Sequence, residues 1–246
     1  NFYTFIQINT GILMSKTTYN TKNEPIKSYL PNSKEKLSLK KCLDEMSSNL
    51  IEIPIIINGQ DVYTNDIGHC VMPHNHQHIL AKYHKAGLDD INNAIESSLE
   101  AWDSWSKLPI DERASIFEKA AHLLKTSWRD RINAATMLGQ SKNVFQAEID
   151  AACELIDFFN FNNEFAKEMH NNQPLISPDG MKNSLEYRSL EGFIFAVAPF
   201  NFSSISANLP CAPALMGNVA LWKPASSSVF SSYYLLGSKL HNYLVI

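Results

Sequence analysis

The stretch Phe193-Ile194-Phe195-Ala196-Val197-Ala198, followed by Pro199-Phe200-Asn201-Phe202, Ser203 to Met216, Gly217-Asn218 and Val219-Ala220-Leu221-Trp222-Lys223, decides the fold. Its first six residues form a continuous apolar run, the pattern of a strand buried on both faces. Pro199 to Phe202 makes a turn, Ser203 to Met216 has helical length, Gly217-Asn218 stops the helix, and Val219 to Lys223 is a second apolar strand. Strand, crossover helix and strand of these lengths make a βαβ unit, which requires the two strands to run parallel. Pro210 and Pro213 lie inside the crossover and are expected to kink or shorten its helix, because proline lacks the backbone donor. A further helix is expected to start near Ser226 to Ser228 and run towards Leu240.

Working upstream, the apolar period becomes that of helices. Leu88, Ile91, Ile95, Leu99 and Trp102 recur every three or four residues, with Asp89 and Asp90 well placed in the first turn. After the break at Pro109, Asp111 is read as the cap of a second helix with Ile116, Phe117, Ala120, Leu124 and Trp128 as its stripe, and a short continuation should end at Gly139. A third helix from about Val144 to Met169 carries Phe145, Ile149, Ala152, Ile156 and Phe159 on one side, and these stripes are read as core. Ahead of the helices, Ile55 to Ile57, Asn58-Gly59 and Gln60 to Tyr63 predict a β-hairpin, since Asn-Gly tolerates the positive φ angles of a type I′ turn. Another strand is expected from His78 to Lys85. Residues up to Asn49 are polar and broken by Pro25 and Pro31, with one short helix expected near Lys36 to Met46.

These elements define an α/β chain in four parts. An extended arm or presequence remnant covers 1–49, a hairpin and strand region 50–86, a helical part 87–185, and the start of a parallel sheet 186–246. No internal repeat is visible. The nine glycines contain no GxG pair, so the usual dinucleotide-binding fingerprint is missing.

Composition narrows the function classes. With 246 residues, of which 45% are hydrophobic, the chain can bury a sizeable core. Its 21 basic and 25 acidic residues provide no basic stripe, which argues against nucleic acid as a partner. The richest apolar stretch, Phe193 to Phe200, is far short of the roughly 18 residues that span a bilayer, so no membrane association is expected. Cys42, Cys70, Cys153 and Cys211 form no CxxC pair and fit a reduced compartment, where each is read as a small buried hydrophobe. The first residue is Asn1, so the chain is expected to begin inside a longer reading frame or after processing. Lys16, Lys22 and the lack of an acid before Glu24 are compatible with an organellar presequence, although its usual arginines are missing.

The turn Ala198-Pro199-Phe200-Asn201-Phe202 is the leading candidate site, because ligands of open α/β sheets bind at the carboxyl ends of the strands. Asn201 brings a neutral amide donor suited to an oxyanion, or else it caps the following helix. Lys223 closes the next strand at the same edge, where a cation can meet a ribose hydroxyl or a phosphate, or simply face solvent. Glu154 sits in an apolar neighbourhood on the third helix, either on its solvated face or turned to a polar ligand. His69, Cys70, His74, His76 and His78 resemble a metal site by count, but Pro73 and Asn75 suggest a loop entering a strand, and no metal is assigned.

The run Glu186-Tyr187-Arg188-Ser189-Leu190-Glu191-Gly192-Phe193, continuing through Pro199-Phe200-Asn201-Phe202, Ala212-Pro213-Ala214-Leu215-Met216-Gly217-Asn218 and Leu221-Trp222-Lys223-Pro224, resembles the aldehyde dehydrogenase superfamily. Within it, the Pro-Phe-Asn-Phe form is similar to the Δ1-pyrroline-5-carboxylate dehydrogenase branch, since most other relatives carry Trp at the position of Phe200. The likeness takes in Asn23-Glu24-Pro25, Pro109 to Arg113 and Gln146 to Ala152, and runs from about Asn23 to Leu240.

The resemblance implies a partial aldehyde dehydrogenase fold whose last part begins an NAD-binding sheet. It implies an enzyme that uses NAD to oxidise glutamate γ-semialdehyde to glutamate in proline catabolism, as a homodimer in the mitochondrial matrix. Asn201 matches the asparagine that stabilises the oxyanion of a cysteine-bound thiohemiacetal. Ala198, Pro199 and Phe200 match backbone and apolar contacts to NAD, although the family often has Ser at position 198. Lys223 matches a ribose-binding lysine, Phe202 an aromatic wall beside the aldehyde, and Glu154 a helix glutamate near the substrate's amino end. The nucleophilic cysteine, the glutamate that activates water and the glycine-rich cofactor turn match nothing in these 246 residues, so the chain alone is expected to be inactive. His241 to Ile246 departs from the family, as if the frame ran into an intron or a premature stop. Cys211 cannot stand in for the nucleophile, because relatives carry a small residue there. The alternatives are an aldehyde dehydrogenase of another substrate branch and a short non-catalytic nucleotide-binding product.

Overall fold

The computed structural model describes residues 20–240. The chain runs through α1 (Lys34–Ser48), β1 (Ile51–Ile53), β2 (Ile55–Ile57), β3 (Gln60–Val62), β4 (Ile67–Met72) and β5 (Asn75–His84). Helices α2 (Leu88–Trp105), α3 (Ile110–Lys125), α4 (Arg129–Gln140) and α5 (Val144–Ala147) follow, and a π-helical segment (Glu148–Cys153) leads into α6 (Glu154–Asn171). Then come β6 (Ile194–Val197), α7 (Ser203–Leu215), β7 (Ala220–Lys223), a short 3-10 turn (Ser226–Ser228) and α8 (Val229–Leu240).

The hairpin forms as its turn residues require. Asn58 at φ 50° and Gly59 at φ 71° both occupy the left-handed region, and they set the antiparallel register Ile55↔Val62 and Ile57↔Gln60 between β2 and β3. A second sheet has the order β1-β5-β4. Strand β4 is new relative to the sequence reading: its Gly, His and Cys are weak strand formers, yet Gly68, Cys70 and Met72 point inward in strict alternation.

The βαβ unit is present. Strands β6 and β7 are parallel, with Ile194↔Ala220 and Val197↔Lys223 in register, and α7 crosses between them. Pro210 and Pro213, expected to kink or shorten the crossover helix, lie inside a helix that runs continuously from Ser203 to Leu215. Its carboxyl end is held by side chains from other helices: Trp105 Nε1 donates to the Ala214 carbonyl at 2.9 Å, and Arg113 Nε to that of Leu215 at 2.8 Å. These bonds and burial against α6 offset the lost backbone donors. The helix then stops where Gly217 adopts φ 89°.

Three local expectations are corrected by packing. Asp111 lies in the first turn of α3, behind the cap residue Pro109, rather than capping it. The continuation is a separate helix, since α3 stops at Lys125, and α4 ends at Gln140, one residue past the expected Gly139, with left-handed Ser141 rather than the glycine at its cap. Gly139 is buried, and a methyl group there would stand 3.4 Å from Phe230. Phe145, Leu88, Ile91 and Leu99, read as core, are exposed in the described chain. The core that does form joins Phe117 and Leu124 of α3, Leu155, Ile156 and Phe159 of α6, and Ala207, Cys211 and Leu215 of α7. A second cluster packs Leu80 of β5 against Leu138 of α4 and Phe230 of α8.

The arm ahead of α1 is pinned rather than loose. Backbone donors of Asn20 and Thr21 reach the Glu164 carboxylate at 2.8 and 3.0 Å, that of Glu24 reaches Asp157 at 2.6 Å, and that of Lys27 reaches Glu148 at 2.8 Å. These four donors of an extended segment are thus satisfied by acids of the π-helical segment and α6.

Candidate active site at the carboxyl edge of the parallel strands

Beyond the paired residues Val197 and Lys223, the Ala198 N–H donates to the Lys223 carbonyl at 3.0 Å. The buried Ala198 therefore ends the ladder, and Pro199, Phe200 and Asn201 emerge exposed just past it. Phe202, extended at φ −126° and ψ 117°, occupies the cap position of α7 and makes no side-chain cap bond. Asn201 is thus not the cap, and its amide has no hydrogen-bond partner among the described residues. Lys223 is likewise exposed and has no ion-pair partner among them. A free amide and a free cation project at one strand edge.

The π-helical segment packs against α7, the helix that follows this turn. Its Asp150 pairs with Lys142, whose ammonium lies 4.4 Å from the centroid of the Phe202 ring, a cation–π contact. Glu154, the first residue after the segment, is partly exposed and accepts a hydrogen bond from Ser204 in the first turn of α7. Glu154 is thus neither fully solvated nor fully buried, and its carboxylate is engaged by a hydroxyl of the neighbouring helix. Lys142 and Ser204 were not singled out in the sequence, because each meets its partner only across helix contacts, Ser204 across 50 residues of chain.

Behind the segment lies a buried charge cluster. Arg129 bonds both Glu24 and Glu148, while Glu148 also accepts from Tyr29 Oη at 2.8 Å and Asn133 Nδ2 at 2.7 Å. Burial alone would raise the Glu148 carboxyl, but bonds from Arg129, the Lys27 N–H and Tyr29 more than offset it and hold it below the ordinary 4.5.

The thiols are quiet. Burial pushes Cys42 and Cys70 up to about 11 and Cys153 and Cys211 up to about 12. His74 Nδ1 bonds Ser141 Oγ at 2.7 Å and His78 Nε2 the Ser47 carbonyl at 2.8 Å. Among the described residues no group of three His, Cys, Asp or Glu side chains is set to hold a metal, and no helix is long and apolar enough to cross a membrane.

Residues 63–239 match the aldehyde dehydrogenase family, and the chain belongs to it. It is similar to the probable Δ1-pyrroline-5-carboxylate dehydrogenase of Schizosaccharomyces pombe, with 47% identity over 213 residues, or 86% of this chain and 39% of that protein. The mitochondrial Δ1-pyrroline-5-carboxylate dehydrogenase of Homo sapiens is 46% identical over 211 residues, 86% of this chain and 37% of that protein. Among solved structures, the Mycobacterium tuberculosis Δ-pyrroline-5-carboxylate dehydrogenase bound with NAD superposes with a TM-score of 0.88 and 43% identity, over 92% of this chain and 42% of that one. The chain thus spans well under half the length of these relatives.

Proposed function

We propose that this chain is the amino-terminal part of an NAD-dependent Δ1-pyrroline-5-carboxylate dehydrogenase, oxidising glutamate γ-semialdehyde to glutamate in proline catabolism as a homodimer in the mitochondrial matrix. The observation that carries the reading is Asn201, an exposed amide with no partner among the described residues and no capping task, standing at the carboxyl edge of a parallel strand. A neutral amide held there can donate to the oxygen that gains negative charge when a nucleophile adds to an aldehyde.

The residues present fit the cofactor. Lys223 offers an unpaired cation for hydroxyl groups of a ribose, and exposed Pro199 and Phe200 offer apolar contact. Ala198 contributes main chain only through its carbonyl, since its N–H is already used by Lys223. NAD, when bound, supplies the hydride acceptor. Phe202, backed by Lys142, walls the aldehyde, and Glu154 faces the substrate's ammonium group. The nucleophile and the water-activating acid belong to the part of the enzyme outside these 246 residues, so the chain alone is inactive.

The test is a substrate comparison on the full-length enzyme that carries this chain. NAD reduction with glutamate γ-semialdehyde should exceed that with acetaldehyde or an uncharged aldehyde of equal length by at least about tenfold in kcat/KM. Equal efficiency with all of them would remove the substrate assignment.

A further inference from the structure

The first turn of α7 carries a buried hydroxyl that none of the roles above uses. Ser204 is fully buried at 0% exposure, and its Oγ donates to Glu154 Oε2. A helical serine can satisfy itself locally. Ser98, Ser115 and Ser231 do so, each donating to a carbonyl three residues back in its own chain. Ser204 instead spans two helices to reach a carboxylate, and it is the partner of Glu154 among the described residues.

The delivery of Glu154 to this hydroxyl depends on the π-helical segment just before it. One extra residue in a wide turn rotates everything after it by roughly 100° about the helix axis, so an unbroken α-helix would aim residue 154 elsewhere. The anchor follows the turn directly in sequence, three residues past Asn201 and two past Phe202. A lysine in place of Ser204 would hold the carboxylate and neutralise it. A hydroxyl holds one oxygen and leaves the negative charge and the second oxygen available.

We infer that Ser204 is a positioning residue, fixing Glu154 so that its free oxygen meets the ammonium group of an α-amino aldehyde and thereby setting selectivity for that substrate class. This rests on the proposed role of Glu154. The hydroxyl itself touches no reacting atom and moves no proton.

The experiment compares glutamate γ-semialdehyde with glutarate semialdehyde, which has the same length and carboxylate but no amino group, on the full-length enzyme. Ser204→Ala should raise KM for the amino aldehyde roughly three- to tenfold, with kcat little changed and the glutarate semialdehyde KM unmoved. Alanine favours the helix, so the variant should fold, and thermal melting checks this. Glu154→Gln should show the same selectivity loss more strongly, and Ser204→Ala added to it should change nothing further. If Glu154→Gln is selective but Ser204→Ala leaves both KM values alone, or raises both equally, the positioning role is overturned and the Glu154 role stands. If Glu154→Gln shows no selectivity, both fall together.

Discussion

The Ala198 N–H and the Lys223 carbonyl meet at 3.0 Å, one step beyond the last paired residues of β6 and β7. This bond brings the turn that carries Asn201 and the strand end that carries Lys223 to the same level of the sheet. The Lys223 side chain, free of any ion pair among the described residues, is therefore where a cofactor crossing that edge would find a cation. In the full-length enzyme, Lys223→Ala should weaken NAD binding by about 1.5 kcal/mol, roughly tenfold in Kd, with little effect on saturated turnover. Titration calorimetry showing unchanged affinity would take Lys223 out of the site.

The cysteines predict inertness. With thiols pushed up to about 11 or 12, no more than about one in a thousand is ionised at pH 8. The 246-residue protein should form no NADH from aldehydes, and its thiols should react slowly with a disulfide reagent until denatured. NADH formation abolished by iodoacetamide would show that one of these four cysteines can act as the nucleophile.

The buried Arg129–Glu148 pair predicts the acid response of the protein. Glu148 is held below the ordinary carboxyl value of 4.5, so its stabilising contribution is fully present above that pH and is lost as pH falls through its lower folded value. Glu148→Gln leaves Arg129 buried with Glu24 alone and should destabilise by about 3–5 kcal/mol at neutral pH, while flattening the loss of stability below pH 4.5. Urea unfolding of both proteins between pH 7 and 3 measures this. Parallel curves would mean that other carboxylates govern acid unfolding.

What could be read from the sequence was local. Asn58-Gly59 dictates its turn without help, and the apolar runs before Pro199 and Pro224 announce two parallel strands. What could not be read depends on residues distant in the chain. Pro210 and Pro213 argue for a kinked or shortened helix, and the continuous one that forms has its end held by Trp105 and Arg113. Gly139 marks the end of α4 to within one residue, but Phe230 packs against it and Ser141 takes the cap. The turn holding Asn201 could be singled out because ligands of open α/β sheets bind at strand ends, whereas Ser204 and Lys142 find their partners Glu154 and Asp150 only once the π-helical segment has packed beside α7.

Asn201 yields the most direct test of the mechanism. Because Phe202 rather than Asn201 occupies the cap position, removing the amide costs α7 no capping bond, and Asn201→Ala should fold normally. The ground-state aldehyde carries little charge on its oxygen, so in the proposed role the amide would contribute mainly once the nucleophile has added and that oxygen has become an anion. In the full-length enzyme, Asn201→Ala should therefore lower kcat by roughly a hundred- to a thousandfold while leaving the Michaelis constants for aldehyde and NAD nearly unchanged. Asn201→Asp should be as poor or worse, since a carboxylate repels the developing charge that the amide attracts. Steady-state kinetics with normal turnover and raised Michaelis constants would make Asn201 a binding residue, and the oxyanion role would have to be given to another donor.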